Sequence, residues 1–350
     1  MFNMSERKIY TTLDVGKFIC ALVILFYHYF SEHGPLPGLL DEALSLYAVA
    51  VASFMVISGF LTYKKLDTLA EYSERKGYVI KQVKRIFTIY LLWSVPYVLY
   101  SISQWNFEAV DVTFVLQQLR QWIFNSTFYT IWFMPALGLG LLFSFYLTEK
   151  LPRRLVYILS VVCYALSGLI STYSFIGSAI PGSSIFADVI NTWFGGSRGW
   201  LLFAFPLLML GRAMVKFEKK LNWKIMAALS VVFMACLVFE ALILRSVAGH
   251  TGIDAAVMMI PATFCILGFL ISFTLPSGNY SVFLRNISVL IFMTQRLFLT
   301  VIPHWLPRAA NEWVFNDIYF GAVLVCGSTI VFSALIVLLS RKIKLFKYLF

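Results

Sequence analysis

Asp14, Lys17 and His28 are the residues with the clearest capacity for chemistry, because all three fall within LDVGKFICALVILFYHYF, a stretch from Leu13 to Phe30 otherwise rich in Phe, Ile, Leu and Val. An imidazole moves protons near neutral pH, and an ammonium or a carboxylate binds an opposite charge. Placed in a membrane-spanning helix, a central Lys or Asp costs about 2.5 to 3.5 kcal/mol on insertion scales, so such residues face a protein interior or a wet cavity. They are site candidates by default.

Helical geometry sharpens the reading. Lys17 and His28 are eleven positions apart, which at roughly 100° per residue is three turns plus about 20°. Both therefore project from one face, separated by roughly 16 Å along the axis, one toward each side of a bilayer core. Asp14 lies three residues before Lys17, within i,i+3 reach. A plainer reading stands beside this one: Asp14 and Lys17 could snorkel to headgroups as a topology anchor, and His28 could be a packed or interfacial ring. Glu32, four residues after His28, could orient the imidazole or be a solvated helix-end carboxylate.

The elements that must position these residues are set by composition. The 350 residues are 60% hydrophobic, 17% aromatic and only 13% charged, with a mean hydropathy of +0.81. This is the composition of an integral membrane protein rather than a soluble globular chain. Apolar segments of spanning length predict an all-α fold with about ten transmembrane helices, near 14–31, 42–63, 86–103, 130–149, 155–172, 198–216, 224–245, 255–275, 287–304 and 318–340. The first is expected to stay as a span rather than be cleaved as a signal, since SEHGP after it lacks a small-residue cleavage pattern and nine further spans follow. With both termini cytoplasmic, only Arg120, Arg198, Arg245 and Arg308 of the basic residues lie outside, and Lys17 and Arg296 within spans. The net charge of +11 is thus a positive-inside signature, not the footprint of a nucleic-acid partner. The spans begin near 14 and end near 340, so a single membrane domain over 1–350 is expected, with no appended soluble domain.

The connections carry further signals. The loop from Lys64 to Arg85 is the most basic and suits anionic lipid or a polyanionic cytosolic ligand. DVTFVLQQLRQWIF, from Asp111 to Phe124, is amphipathic and is expected to lie in the interface plane. The outer loop 173–197 is rich in Gly, Ser and aromatics, and could cover an acceptor site or simply connect. Cys20, Cys163, Cys236, Cys265 and Cys326 lie scattered in apolar segments and read as small core residues. No P-loop or zinc motif is present and no metal site is expected; Gly138-Leu139-Gly140 reads as close helix packing. No internal repeat is evident, which weighs against inverted-repeat transporter folds.

An ordered set of short elements resembles the acyltransferase 3 family of multi-spanning membrane acyltransferases. These are Leu13-Asp14, Lys17 and His28 in the first span, SFMVISGFL from Ser53 to Leu61, Arg85-Ile86 before the third, Trp132-Phe133 in IWFMPAL, and GSRGWLLFAFPLLMLG from Gly196 to Gly211. The chain departs from the family pattern at three places. Lys17 stands where many members have Arg, keeping the charge but losing the bidentate fork. Thr130 stands where some have histidine, and Gln295, followed by the intramembrane Arg296, where histidine is common.

The resemblance implies an acyl-CoA donor, acetyl-CoA above all, and a hydroxyl acceptor on an envelope glycan or similar molecule at the outer half of a bacterial cytoplasmic membrane. His28, with Asp14, is the expected catalytic group, acting as general base or taking the acyl group itself. Lys17, Lys81 and Arg85 are expected to pair with the phosphates of coenzyme A. Ser58 could line the cavity or be a packing contact, Trp132 could wall the donor path or sit in an aromatic belt, and Arg198 could bind the acceptor or pair across an interface. A transporter of an amino acid, small solute or glycan precursor is the competing class, since intramembrane charges suit it too. A sensor or assembly partner without turnover is a third.

Overall fold

The computed structural model describes residues 10–34, 47–249 and 252–350, and among them there are helices and connections but no strand. Numbering the helices of eight or more residues in chain order gives α1 (Thr11–His33), α2 (Tyr47–Leu66), α3 (Tyr72–Ser103), α4 (Val112–Phe124), α5 (Phe133–Lys150) and α6 (Arg153–Ile170). There follow α7 (Ser183–Trp193), α8 (Trp200–Lys220), α9 (Trp223–Ala248), α10 (Met259–Ser272), α11 (Asn279–Trp305), α12 (Arg308–Phe315) and α13 (Ile318–Leu339).

Eight of these, α1, α2, α3, α6, α8, α9, α11 and α13, are long and apolar enough to cross a membrane. Two of the ten expected spans fall short. The span expected at 130–149 forms α5, whose eighteen residues end in the charged pair Glu149 and Lys150. The one expected at 255–275 forms α10, only 14 residues long, or roughly 21 Å against a hydrocarbon core of about 30 Å. Residues 42–46 of the second expected span lie outside the described residues.

Two expected loops are largely helical. Most of the basic segment before the third span belongs to α3, a 32-residue helix that begins at Tyr72, so Arg75, Lys76, Lys81, Lys84 and Arg85 stand on a helix surface. Segment 173–197 contains α7. The amphipathic stretch is helical as its pattern indicates, starting where Asp111 accepts the Phe114 N–H at 2.7 Å.

Burial separates the centre from the rim. In α2 72% of the spanning window is buried, in α9 only 17%, so α2 is the core helix and α9 turns a face outward. The contact of α2 with α8 is glycine-mediated: a Cβ added at Gly59 would stand 2.8 Å from the Leu208 Cα, and one at Gly211 2.5 Å from the Phe60 backbone nitrogen. Small residues let two helix backbones approach this closely. Gly140 packs closely on Ala204 and the Trp200 carbonyl of α8, and Gly138 receives the Phe87 ring of α3. On the other flank α1 meets α13, where the Tyr29 hydroxyl donates to the Ile318 carbonyl at 2.9 Å.

Candidate active site

Helix α1 sets up two polar regions, one at each end. At its N-terminal end Asp14 is buried and its carboxylate accepts from the Ser281 hydroxyl at 3.1 Å. Lys17 lies within electrostatic reach of Asp14, of Arg85 on α3 and of Arg285 on α11. One carboxylate among three cations leaves a local excess of positive charge. Arg285 was not evident from the sequence as a partner of Lys17, since nothing local links α1 to α11. Lys81, one turn before Arg85, is exposed.

At the other end a cavity of about 50 Å³ has His28, Trp132, Arg198, Tyr47, Tyr129 and Asp254 among its lining residues, closed by apolar side chains including Phe203 and Phe292. Three of the sequence candidates, His28, Trp132 and Arg198, therefore converge. Asp14 does not join them, being fourteen positions and roughly 21 Å along α1 from His28. Nor does Ser58, whose hydroxyl donates to the Phe54 carbonyl of its own helix at 2.7 Å, beside the Gly59 packing contact.

The cavity is built by residues far apart in sequence. Tyr47 opens α2 and stacks on Tyr27 with ring centroids 3.6 Å apart. Arg198 precedes a π-helical turn over Trp200–Ala204, and its guanidinium donates to the Asp254 carboxylate. Tyr47 donates to the same carboxylate at 3.4 Å. The short segment holding Asp254 is tied down by Glu240 of α9, which accepts the N–H groups of Val257 and Met258 at 3.0 and 2.9 Å, and by Thr172, which accepts that of Ala255 at 3.0 Å. Thr130 contributes a buried hydroxyl to the wall with no hydrogen-bond partner, a polar atom open to an occupant.

Behind His28 stands Arg296, only 2% exposed, at the last α-helical position before a π-helical turn over Leu297–Val301. Its Nη2 lies 3.0 Å from His28 Nδ1, its Nη1 pairs with Glu32, and its guanidinium covers the Tyr129 ring at 4.4 Å. The Tyr129 hydroxyl donates to Glu32 at 2.7 Å. Burial, with that carboxylate beside it, pushes the Tyr129 hydroxyl above its ordinary pKa, so it remains a protonated donor at neutral pH. Glu32 thus reaches His28 only through Arg296. Gln295 is fully buried; its amide donates to the Phe292 carbonyl at 3.1 Å and its own carbonyl oxygen has no partner. One π-helical turn gives Phe203 to the cavity wall and the other directly follows Arg296; such turns are frequent at functional sites. Among the described residues no cluster of His, Cys, Asp or Glu could hold a metal.

Apolar spans around a half-buried imidazole, with a cationic region at the opposite end of the same helix, define a multi-pass membrane protein with a polar internal site. A family model described as an acyltransferase domain, Acyl_transf_3, matches residues 10–340, and the chain belongs to that acyltransferase family. Two Enterococcus faecalis proteins, each named amino-acid racemase, are similar to it. One is 23% identical over 292 residues, covering 82% of this chain and 39% of the relative. The other is 24% identical over 341 residues, covering 96% of this chain and 47% of the relative. The chain thus spans less than half the length of these curated relatives. No solved structure gives a significant match.

Proposed function

We propose that this protein is a membrane O-acyltransferase that moves an acyl group, acetyl in the simplest case, from cytosolic acyl-CoA to a hydroxyl of an envelope carbohydrate or similar acceptor. The observation that carries the reading is the polarity of α1 in an acyltransferase-family chain. Lys17 with Arg85 and Arg285 forms a cationic region at one end, and His28 lines the cavity at the other. The cations suit the phosphates of coenzyme A, while the thioester meets the acceptor at His28. There the acyl carbon–sulfur bond breaks, a carbon–oxygen bond to the acceptor forms, and the hydroxyl proton leaves with the thiol. The imidazole serves as proton relay or transient acyl carrier. Tyr47, Tyr129, Arg198 and Trp132 supply the hydrogen bonds and the aromatic wall that hold the acceptor. In this reading both termini are cytoplasmic, α5 and α10 complete a set of ten membrane segments, and the membrane is a bacterial cytoplasmic one.

The test is release of free CoA from acetyl-CoA by membranes containing the protein, supplied with an envelope extract. Release is expected to vanish in His28→Ala and to need more acetyl-CoA in Lys17→Ala. No protein-dependent release from folded protein removes the reading.

A second reading has one specific support. Arg198 and Asp254 form an ion pair on the wall of the cavity, and an amino acid that parted the pair would offer its carboxylate to one and its ammonium to the other. An amino-acid transporter would show solute uptake without CoA release.

A further inference from the structure

We infer that Arg296 sets the tautomer of His28 and holds the ring as a hydrogen-bond donor. The argument begins with the donor inventory. A guanidinium carries N–H groups and no acceptor, so the ring nitrogen 3.0 Å from Arg296 Nη2, Nδ1 of His28, presents its lone pair. The proton of the neutral imidazole is then on Nε2. Nε2 is the nitrogen left for a ligand, and in this conformation it gives a hydrogen bond rather than taking one.

A histidine that serves as base at Nε2 has the reverse arrangement, with Nδ1–H held by an acceptor. Here the acceptor is at hand. Arg296 bridges Glu32 and His28, one nitrogen on each, and Glu32 stands one helical turn beyond His28 on α1. Withdrawal of Arg296 from the ring lets the Glu32 carboxylate, which only accepts, take Nδ1–H and move the lone pair to Nε2. Arg296 is therefore a positioning residue: with it His28 donates, and with Glu32 in its place His28 is a base. The adjoining π-helical turn over Leu297–Val301 is the local irregularity that would let Arg296 shift. The assignment of a base to the second state rests on the acyltransferase reading; the resting tautomer does not.

The experiment is ¹⁵N NMR of the full chain labelled at histidine, at neutral pH and without substrate. Only four histidines are present, and His28 is assigned by loss of its signals in His28→Asn. The expected wild-type pattern is Nε2–H with bare Nδ1. Arg296→Lys, whose ammonium only donates, keeps it; Arg296→Met, which cannot donate, converts it to Nδ1–H. A wild-type ring protonated at Nδ1, or an imidazolium, overturns the inference, and that spectrum decides whether or not Arg296→Met folds. An unchanged Nε2–H pattern in folded Arg296→Met removes the role given to Arg296. The tautomer is read without turnover, so the two ideas fail separately. Absent CoA release with an Nε2–H ring defeats only the acyltransferase reading, and CoA release with an Nδ1–H ring defeats only this one.

Discussion

Adding one methyl group at Gly211 should loosen the whole cavity wall. The Cβ of Gly211→Ala would stand 2.5 Å from the Phe60 nitrogen and against the Val56 carbonyl, where ordinary contact begins at 3.4 Å. Both neighbours are backbone atoms, so no rotamer change relieves the clash and α2 and α8 must separate by about 1 Å. Overpacking of this kind costs about 1 to 3 kcal/mol, offset by roughly 0.5 to 1 kcal/mol from replacing a helical glycine. The net is a loss of about 1 kcal/mol at the centre of a range from about 0 to 2.5 kcal/mol. At roughly 2 to 4 °C per kcal/mol for chains of a few hundred residues, the unfolding midpoint in detergent should fall by several degrees. Gly327→Ala is the internal control: its Cβ meets nothing within 4 Å, so only the helix-propensity gain remains. Because α2 carries Tyr47, Ala48 and Val51 of the cavity wall, Gly211→Ala should also raise the acceptor concentration needed for half-maximal rate. Equal midpoints for the two variants would refute the packing argument.

Glu32→Gln leaves the almost wholly buried Arg296 without its carboxylate; with Glu32 itself about a third exposed, a loss of about 1 to 3 kcal/mol is expected, larger than that of Tyr129→Phe in the same thermal scan. Asp254→Asn frees Arg198 from its carboxylate, and steady-state kinetics should show a changed KM for the acceptor with that for acetyl-CoA unmoved. Lys17→Ala should show the opposite split, because its region lies at the far end of α1.

Much of α1 could be read from residues alone, since helical periodicity fixes which side chains share a face and a polar residue such as Lys17 or His28 in an apolar helix is conspicuous. The cavity that receives His28 was only partly legible. Trp132 and Arg198 stood out through the family-like elements that hold them, IWFMPAL and GSRGWLLFAFPLLMLG, but Asp254 and Tyr129 come from short connections with no periodic signal. Asp254 is placed by the bonds from Val257 and Met258 to Glu240, a contact between segments that only folding brings together. The extent of α3 was missed for a different reason. Its first turns are charged and carry no apolar run, yet a helix continues past the membrane as long as its backbone bonds are made and its side chains are solvated. The other two expected spans show the converse: apolar composition marks a segment as buried in lipid or protein, but the length of α10 and the charged end of α5 are what set them apart from the eight. Arg296 was visible as an intramembrane charge, whereas its position between Glu32 and His28 follows from the packing of α11 on α1.

The most direct measurement of the central claim is transfer of label from [¹⁴C]acetyl-CoA into the envelope fraction of membranes containing the protein or its His28→Asn variant. The account requires protein-dependent label in alkali-labile ester linkage, absent from folded His28→Asn. Equal labelling by wild type and His28→Asn, or none by either while amino-acid uptake proceeds, would contradict it.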